Sequence, residues 1–173
     1  MSTNKEIVIQ DACILFDLID LGLISVFFEL DYDVMTTPQV MIEVLDGDQV
    51  SLANNLVKNG RLKVDDKGNL TEIQEILIKN SGLSFADSSV LELAIRVNGT
   101  VLSSDLKLRN ATSRNGLTVR GVLWIVEELH AKSLLSSDEA ISKLNHYQRI
   151  NDRAPRAEMK ALVDRIQNQV LNR

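Results

Sequence analysis

The sequence predicts an α/β protein, a three-layer α/β/α sandwich in which a mainly parallel central sheet lies between helices. Two observations carry this prediction. Short apolar runs alternate along the chain with longer segments whose apolar residues recur at helical spacing. Glycine, proline or asparagine punctuates the boundaries between many of these segments. Strands that alternate with helices favour parallel sheets, and right-handed crossovers then place helices on both faces of the sheet.

Five short apolar segments are predicted to form the strands of this sheet. They span residues 6–10, 32–37, 61–66, 100–104 and 117–121. Asp11 directly follows the first segment, and Asp105 directly follows the fourth. Because the carboxyl ends of parallel strands lie at one edge of a sheet, both acids are expected at the edge where ligands bind.

The remaining apolar-periodic segments are predicted to be helices. They span residues 12–22, 38–44, 49–60, 70–82, 83–99, 106–116, 122–135, 136–144 and 156–171. Pro38 suits the first turn of its helix because proline has no backbone N–H to leave unpaired there. Gly99 is a candidate helix end. The segment that opens at Ser136 begins with a capping pattern that we interpret as incomplete.

The composition narrows the class of protein. A chain of 173 residues suits one domain with a sizeable core, and 45% hydrophobic with 25% charged residues is ordinary for a globular protein. No apolar run reaches the roughly 20 residues of a membrane span, and the start of the sequence lacks the features of a signal peptide. Cys13, the single cysteine, excludes an internal disulfide and a multi-cysteine zinc site. A cytoplasmic protein without a membrane partner is expected.

The charge balance argues against one mode of nucleic-acid binding. The net charge of −5 is opposite in sign to that of proteins that hold nucleic acid through bulk positive charge. Any interaction with RNA or DNA is therefore expected to depend on a local site.

Four acidic residues at strand and helix junctions form the candidate site: Asp11, Glu43, Asp87 and Asp105. Taken singly, each aspartate is better explained as a cap for the helix that it precedes or opens, and Glu43 as a solvated helix residue. Asp87, however, opens the helix that leads into the strand before Asp105. Several carboxylates cannot stay ionised at close range without compensation, and Mg²⁺ prefers such oxygen ligands. The sequence therefore predicts a metal site if the four converge.

Four stretches of the sequence resemble the acidic motifs of PIN-domain nucleases, in their usual order. These are "IVIQDACILFDLI", "TTPQVMIEVLD", "LSFADSSVLELAIRVNG" and "TVLSSDLKLRNATSRNGLTVRG". The resemblance covers about residues 5–130, and the stretch after it is similar to the helical tail of some PIN-like families. It implies a PIN-like nuclease domain at residues 1–130 and a helical extension at residues 131–173 that packs on the same domain.

The resemblance also implies roles for individual residues. Asp11, Glu43, Asp87 and Asp105 would be the catalytic acids, and the three aspartates would bind Mg²⁺ or Mn²⁺. Ser103 matches a hydroxyl position that helps to order the acidic site. Family members hydrolyse RNA with water as the nucleophile. The implied activity is that of a metal-dependent endoribonuclease acting on single-stranded or structured RNA.

The surroundings of the site leave alternatives open. Arg109 and Arg114 are candidate phosphate contacts, although ordinary surface charge explains them equally well. The resemblance implies a homodimer, and a small antitoxin partner if the chain is the toxin of a toxin–antitoxin pair. The main alternative is a catalytically silent PIN-like module that binds RNA or protein. A different phosphate-handling α/β enzyme is disfavoured because the chain has no glycine-rich phosphate loop.

Several nearby residues are interpreted without a role in chemistry. Cys13 is expected to be a small buried side chain. Glu92, Asp17 and Asp20 are expected to be solvated on their helices. Trp124 lies in an apolar helical stripe and is expected in the core or at a dimer contact.

Overall fold

The structure, a computed structural model, describes residues 6–44 and 47–171 of the chain. The strands in these residues are β1 (Ile7–Gln10), β2 (Asp33–Thr36), β3 (Lys63–Val64), β4 (Thr100–Leu102) and β5 (Val119–Arg120). The helices in these residues are α1 (Ala12–Asp20), α2 (Ile24–Phe27), α3 (Pro38–Glu43), α4 (Gly47–Lys58), α5 (Leu70–Lys79), α6 (Phe85–Val97), α7 (Leu106–Arg114), α8 (Val122–Ala131), α9 (Ser137–Ile150) and α10 (Arg156–Leu171).

The strands form one parallel sheet with the order β3-β2-β1-β4-β5. The central strand β1 pairs with β2 from Ile7↔Asp33 onward and with β4 from Val8↔Thr100 onward. The predicted α/β fold, with a parallel sheet flanked by helices, is confirmed. The backbone N–H of Asp11 donates to the carbonyl of Leu102 at 3.2 Å, just past the last paired residues of β1 and β4. The ends of these two strands therefore lie side by side.

Helix α6 is the core helix of this α/β region. Its residues from Ser88 to Ala94 are all buried, and its apolar side chains pack with β1, β4, α3 and α7 in one hydrophobic cluster. Leu91 and Leu93 are fully buried, and each such side chain contributes about 2 kcal/mol through loss of contact with water. The burial fixes α6 on the sheet, and with it the position of Asp87 in its first turn.

The end of α6 differs in detail from the prediction. Asn98, and not Gly99, takes the left-handed conformation that ends the helix, with φ 52°. Gly99 is needed for a different reason, which is the close approach of its backbone to β1. A Cβ at Gly99 would collide with Cδ1 of the buried Ile9 and would lie 3.3 Å from the carbonyl oxygen of Ile7.

Replacing Gly99 with Ala is therefore expected to destabilise the protein. The added methyl group must displace a buried side chain, which costs about 1–3 kcal/mol of unfolding free energy. Chemical denaturation of the variant and the wild type measures this loss. Gly47→Ala is the matched control, because a Cβ at Gly47 meets nothing within 4 Å and alanine favours the helical conformation. Equal losses for both variants would contradict the packing explanation.

The described residues divide into two compact units. The first lies within Met1–Phe16 and Asp31–Gly121, and the second within Asp17–Leu30 and Val122–Arg173. The first unit holds the sheet and all the candidate site residues. The predicted division into residues 1–130 and 131–173 stays a prediction. None of the helices in the described ranges is both long and apolar enough to cross a membrane.

The second unit is built from helices that pack on one another. Helices α8, α9 and α10 make contact, and α2 packs on α8. The sequence analysis did not predict α2, a four-residue helix with Ile24 and Phe27 buried. The prediction of an incomplete capping pattern was wrong. Ser136 and Glu139 form a complete capping box at the start of α9, because the serine that precedes the first helical residue is the cap.

Candidate active site

The three predicted aspartates each hold the start of a helix at the carboxyl edge of the sheet. Oδ1 of Asp11 accepts the N–H of Ile14 at 2.8 Å. Oδ1 of Asp105 accepts the N–H groups of Lys107 and Leu108, both at 2.9 Å. The cap explanation is thus correct for both residues. It does not exclude a site, because a capping bond fixes the direction in which a carboxylate points.

Asp87 takes part in a capping box in the first turn of α6. The backbone N–H of Ser84 donates to Oδ2 of Asp87 at 2.8 Å, and the N–H of Asp87 donates to Oγ of Ser84 at 3.0 Å. This box leaves the other carboxylate oxygen, Oδ1, without a hydrogen bond to the described residues. Asp87 is therefore held in place by one oxygen and offers the other to a ligand.

Ser103 links two of the acids. Its hydroxyl donates to Oδ2 of Asp11 and accepts the backbone N–H of Asp105 at 3.0 Å. Ser103 is fully buried at the end of β4, and its own N–H donates to the carbonyl of Arg120 at 3.0 Å. The serine thus couples the side chain of Asp11 to the backbone at Asp105 in a fixed arrangement.

Asp11 is the buried acid of the candidate site, and its surroundings raise its pKa. Asp11 is 2% exposed, and burial raises its pKa from 3.8 to about 7. The hydrogen bonds from Ser103 and Ile14 oppose this rise, whereas the negative charges of Asp87 and Asp105 add to it. A carboxylate in this position is costly to ionise without a nearby cation.

Glu43 joins the group through Asp87. It is an exposed residue at the end of α3, and its pKa is raised by partial burial and then by the charge of Asp87. A hydrogen bond with the Ser84 side chain acts in the opposite direction. Asp11 interacts with Asp87 and Asp105, and Asp87 interacts with Glu43. Each of the four predicted acids therefore lies within electrostatic range of at least one other.

The acids do not form a ready-made three-ligand metal site. Within residues 6–44 and 47–171, no three His, Cys, Asp or Glu side chains are arranged to hold one ion. Mg²⁺ needs less than this, because it commonly binds through one or two carboxylates and keeps several waters. Carboxylate oxygens are the donors that Mg²⁺ and Mn²⁺ prefer, and a cation offsets the cost of ionising Asp11, which comes mainly from burial and to a smaller extent from the charges of Asp87 and Asp105. The residues present therefore fit a divalent ion with few direct protein ligands.

The two arginines predicted as phosphate contacts bind groups of the protein. Nη1 of Arg109 donates to the carbonyls of Ser103 at 2.8 Å and Arg120 at 3.0 Å, which ties the end of β4 to the end of β5. Nη2 of Arg114 donates to Oδ1 of Asn80 at 3.1 Å. A phosphate contact by either arginine stays a prediction.

Hydroxyl groups that the sequence analysis missed connect the helices of the site. Thr37 caps α3 by accepting the N–H of Val40 at 3.3 Å, and its Oγ1 lies 2.7 Å from Oγ of Ser89 on α6. Thr37 and Ser89 are both buried. The bond ties the helix of Glu43 to the helix of Asp87. A threonine before proline at a predicted helix start is a cap signature that could have identified Thr37.

The prediction that Glu92 is solvated was wrong. Its side chain is 2% exposed, and Nε of Arg96 donates to its Oε1 at 3.0 Å. Nη2 of Arg96 also reaches Oδ1 of Asp65 at 2.6 Å, and these bonds raise the pKa of Arg96. Arginine four residues after glutamate on a helix was the available signal. The arginine compensates a buried carboxylate and links α6 to the end of β3.

The expectation for Cys13 was also wrong, because its side chain is exposed. Helix α1 buries Ile14, Leu15 and Leu18, and Cys13 falls on the other face of the helix. Asp20 is exposed as expected.

Comparisons with known proteins identify the family to which this chain is similar. The model of the family DUF3368, described as a PIN domain, matches residues 7–168. The chain is 34% identical over 102 residues to Endoribonuclease Nob1 from Pyrococcus abyssi (strain GE5 / Orsay), which covers 56% of this chain and 63% of that protein. The matched part thus spans less than two thirds of this relative's length.

A solved structure supports the fold independently. The crystal structure of PAE2754 from Pyrobaculum aerophilum has a TM-score of 0.56 with this chain at 18% sequence identity. The match covers 76% of this chain and 99% of that one. This similarity supports the fold, and the family model, which spans most of the sequence, assigns the family. The chain belongs to the PIN-domain family.

Proposed function

We propose that this chain is a divalent-metal-dependent endoribonuclease that hydrolyses phosphodiester bonds in single-stranded or structured RNA. The observation that carries the proposal is that, in a PIN-domain chain, Asp11 is within electrostatic range of Asp87 and Asp105, and Asp87 is within electrostatic range of Glu43. The name of the relative from Pyrococcus abyssi, an endoribonuclease, supports RNA as the substrate class.

The four acids and Ser103 are proposed to have different roles, which follow from their surroundings. Asp11, Asp87 and Asp105 would hold the ion, one or two of them directly and the rest through its bound waters, and the ion when bound would stabilise negative charge on the phosphate and on the leaving oxygen. Ser103 keeps the Asp11 carboxylate oriented through its hydrogen bond. Glu43 is exposed and has a raised pKa, so it is suited to accept a proton from the attacking water.

The finer features of the proposal follow from the resemblance to PIN-domain nucleases. The ion would be Mg²⁺ or Mn²⁺, because both accept an all-oxygen donor set. The active form would be a cytoplasmic homodimer. If the chain is a toxin, a small antitoxin protein would be its inhibitor.

One observation favours the alternative of a catalytically silent module that binds RNA or protein. The described residues contain no three acids arranged to hold one ion. A silent module would leave the acids as helix caps, a role that the three aspartates already fill.

The two functions are separated by a metal-dependence experiment. We expect the purified protein to cleave single-stranded RNA in Mg²⁺ or Mn²⁺, to stop in EDTA, and to resume when the ion is restored. Calorimetric titration with Mn²⁺ should show binding heat under the same conditions. Cleavage that persists unchanged in EDTA would contradict the proposed mechanism. Mn²⁺ titration without heat, together with no cleavage, would favour the silent module.

A further inference from the structure

Helices α6 and α9 begin with the same kind of capping box, but their two serines use the hydroxyl proton differently. In α6, Ser84 accepts the backbone N–H of Asp87 and donates its own N–H to the Asp87 carboxylate. In α9, Ser136 makes the same two bonds with Glu139. The hydroxyl of Ser136 also donates to Oε2 of Glu139 at 2.7 Å, so its proton stays within the box. The hydroxyl of Ser84 forms a hydrogen bond with Glu43 at the end of α3, and therefore links α6 to a second helix.

Ser84 thereby contacts two acids of the candidate site. Its backbone N–H donates to Oδ2 of Asp87 at 2.8 Å, and its hydroxyl, which has one proton, donates to the carboxylate of Glu43. Partial burial and then the negative charge of Asp87 raise the pKa of Glu43, whereas the hydrogen bond from Ser84 opposes that rise. Two carboxylates that repel each other are thus held by donors of one residue.

Helix α3 is also attached to α6 at its other end. Oγ1 of Thr37, at the start of α3, lies 2.7 Å from Oγ of Ser89, and both residues are buried. Val40, between the two ends of α3, is 1% exposed and packs in the hydrophobic cluster that includes α6. Ser89 lies farther along α6 than Ser84, whereas Thr37 lies before Glu43. The two helices therefore run in opposite directions along their contact, with one hydroxyl contact at each end.

Capping alone does not require the bond between Ser84 and Glu43. A cap stabilises its helix by accepting a backbone N–H, which uses a lone pair of the hydroxyl oxygen and leaves the proton free. Glu43 is exposed, and an exposed glutamate has several rotamers of similar energy. A hydrogen bond from Ser84 selects the rotamers in which the Glu43 carboxylate lies at the start of α6. The bond therefore fixes Glu43 near Asp87, in addition to the cap.

We propose that Ser84 is a positioning residue of the acidic site, whose hydroxyl holds the carboxylate of Glu43 near that of Asp87. This inference rests on the proposed function, in which Glu43 accepts a proton from the attacking water. A general base must lie within hydrogen-bonding reach of that water, and small displacements of a catalytic group are costly. Loss of the hydroxyl releases Glu43 to other rotamers and slows the chemical step.

Steady-state cleavage of single-stranded RNA at saturating Mn²⁺ tests this role. We expect Ser84→Ala and Ser84→Gly to lower kcat by about 10-fold or more with little change in KM, because hydrogen bonds to charged groups carry this much free energy. Glycine is tolerated as a cap far better than alanine, so Ser84→Gly separates loss of the hydroxyl from loss of helix stability. Ser84→Thr keeps a hydroxyl at an exposed position with an extended backbone, and it should keep most of kcat.

Ser136→Ala is the matched control, because it removes the serine of the other capping box, in the second compact unit. It should lower the midpoint of urea denaturation about as much as Ser84→Ala does and leave kcat unchanged. A kcat that falls equally in Ser84→Ala and Ser136→Ala overturns the inference, since capping would then explain the loss. A kcat that Ser84→Gly leaves unchanged overturns it as well.

A second measurement does not depend on cleavage. Carboxyl ¹³C NMR in EDTA follows the titration of Glu43 in each variant. Since the hydrogen bond from Ser84 lowers the pKa of Glu43, we expect that pKa to rise in Ser84→Ala and Ser84→Gly and to stay unchanged in Ser84→Thr and Ser136→Ala. An unchanged pKa of Glu43 in Ser84→Gly overturns the inference whatever the effect on kcat.

The two measurements separate this inference from the proposed function. Wild-type protein that cleaves RNA, with a kcat that Ser84→Gly leaves unchanged, keeps the nuclease and removes the positioning role. Wild-type protein that does not cleave RNA in Mg²⁺ or Mn²⁺ removes the nuclease. In that case a raised pKa of Glu43 in Ser84→Gly supports Ser84 as the residue that holds Glu43, and an unchanged pKa overturns it.

Discussion

Replacing Asp87 with Asn is expected to lower the rate of metal-dependent RNA cleavage by about 10²-fold or more while the protein stays folded. Asp87 interacts with both Asp11 and Glu43, so it is the acid that connects the buried and the exposed parts of the site. The substitution removes one negative charge from that position. It is also expected to lower the affinity of the site for a cation that the acids bind together.

The fold should survive because asparagine can make the same structural contact. Oδ2 of Asp87 accepts the N–H of Ser84 at 2.8 Å, and an amide oxygen can accept the same bond. The backbone half of the box, from the N–H of residue 87 to Oγ of Ser84, does not depend on the side chain. Circular dichroism and the midpoint of thermal unfolding check that the fold is intact.

Glu139→Gln is the matched control for this experiment. Glu139 holds the third helical position of the capping box that starts α9, as Asp87 does in α6, and it lies in the other compact unit. The control removes the same charge from the same kind of cap. Cleavage rates that fall equally in both variants would show that the loss comes from capping and not from the acidic site. Full activity of the Asp87→Asn variant would show that Asp87 is not needed for cleavage and would contradict the proposed active site.

Most of the fold could be predicted because strand and helix periods are local properties of the sequence. The buried residues of β1 and β4 are largely consecutive apolar residues, and α6 begins after the serine cap Ser84 and ends at Asn98, one residue before the predicted end at Gly99. Helix α2 was missed because four residues are too few to show a helical period. Phe27 of α2 is buried by contacts within the second unit, and such contacts cannot be predicted from the local sequence pattern.

The candidate site was predicted through the order of its acids, and the contacts that hold them were not. Glu92 was assigned to solvent because a lone acid on a helix is usually exposed, yet Arg96 compensates its burial. The bond between Thr37 and Ser89 joins residues 52 positions apart. Such pairings arise from tertiary packing. They decide where α3 and α6 meet, and therefore how close Glu43 comes to Asp87.

Replacing Asp11 with Asn is expected to stabilise the metal-free protein at high pH and to abolish its activity. An unfolded aspartate ionises near 3.8, whereas Asp11 in the folded protein has a pKa of about 7. The folded state therefore holds its proton more tightly, and stability falls as the pH rises between these values. Above about pH 7 Asp11 is ionised in both the folded and the unfolded state, and the loss of unfolding free energy is complete. The difference between the folded and unfolded pKa values corresponds to about 4 kcal/mol.

Asparagine removes this cost because it has no proton to lose. Its amide oxygen can accept the N–H of Ile14, and its amide nitrogen can donate to Oγ of Ser103, so the cap and the link to β4 are kept. In EDTA at pH 8 we expect the variant to exceed the wild type in unfolding free energy by up to about 4 kcal/mol. Toward pH 4 the two proteins should become similar, since Asp11 in the folded wild type is then neutral and the unfolded chain holds much of its proton.

Urea denaturation at a series of pH values measures the difference between the two proteins, in which the titration of groups that do not interact with Asp11 cancels. Glu139→Gln provides a control of opposite sign. The backbone hydrogen bond from Ser136 lowers the pKa of Glu139, so its contribution is present at high pH and is lost as the pH falls. Saturating Mn²⁺ should stabilise the wild type at pH 8, by about 2.7 kcal/mol at 100 times the dissociation constant, and the Asp11 variant less. A wild type that is as stable as the variant at pH 8 in EDTA would show that Asp11 ionises there without cost, and the electrostatic argument for a cation at this edge of the sheet would fail.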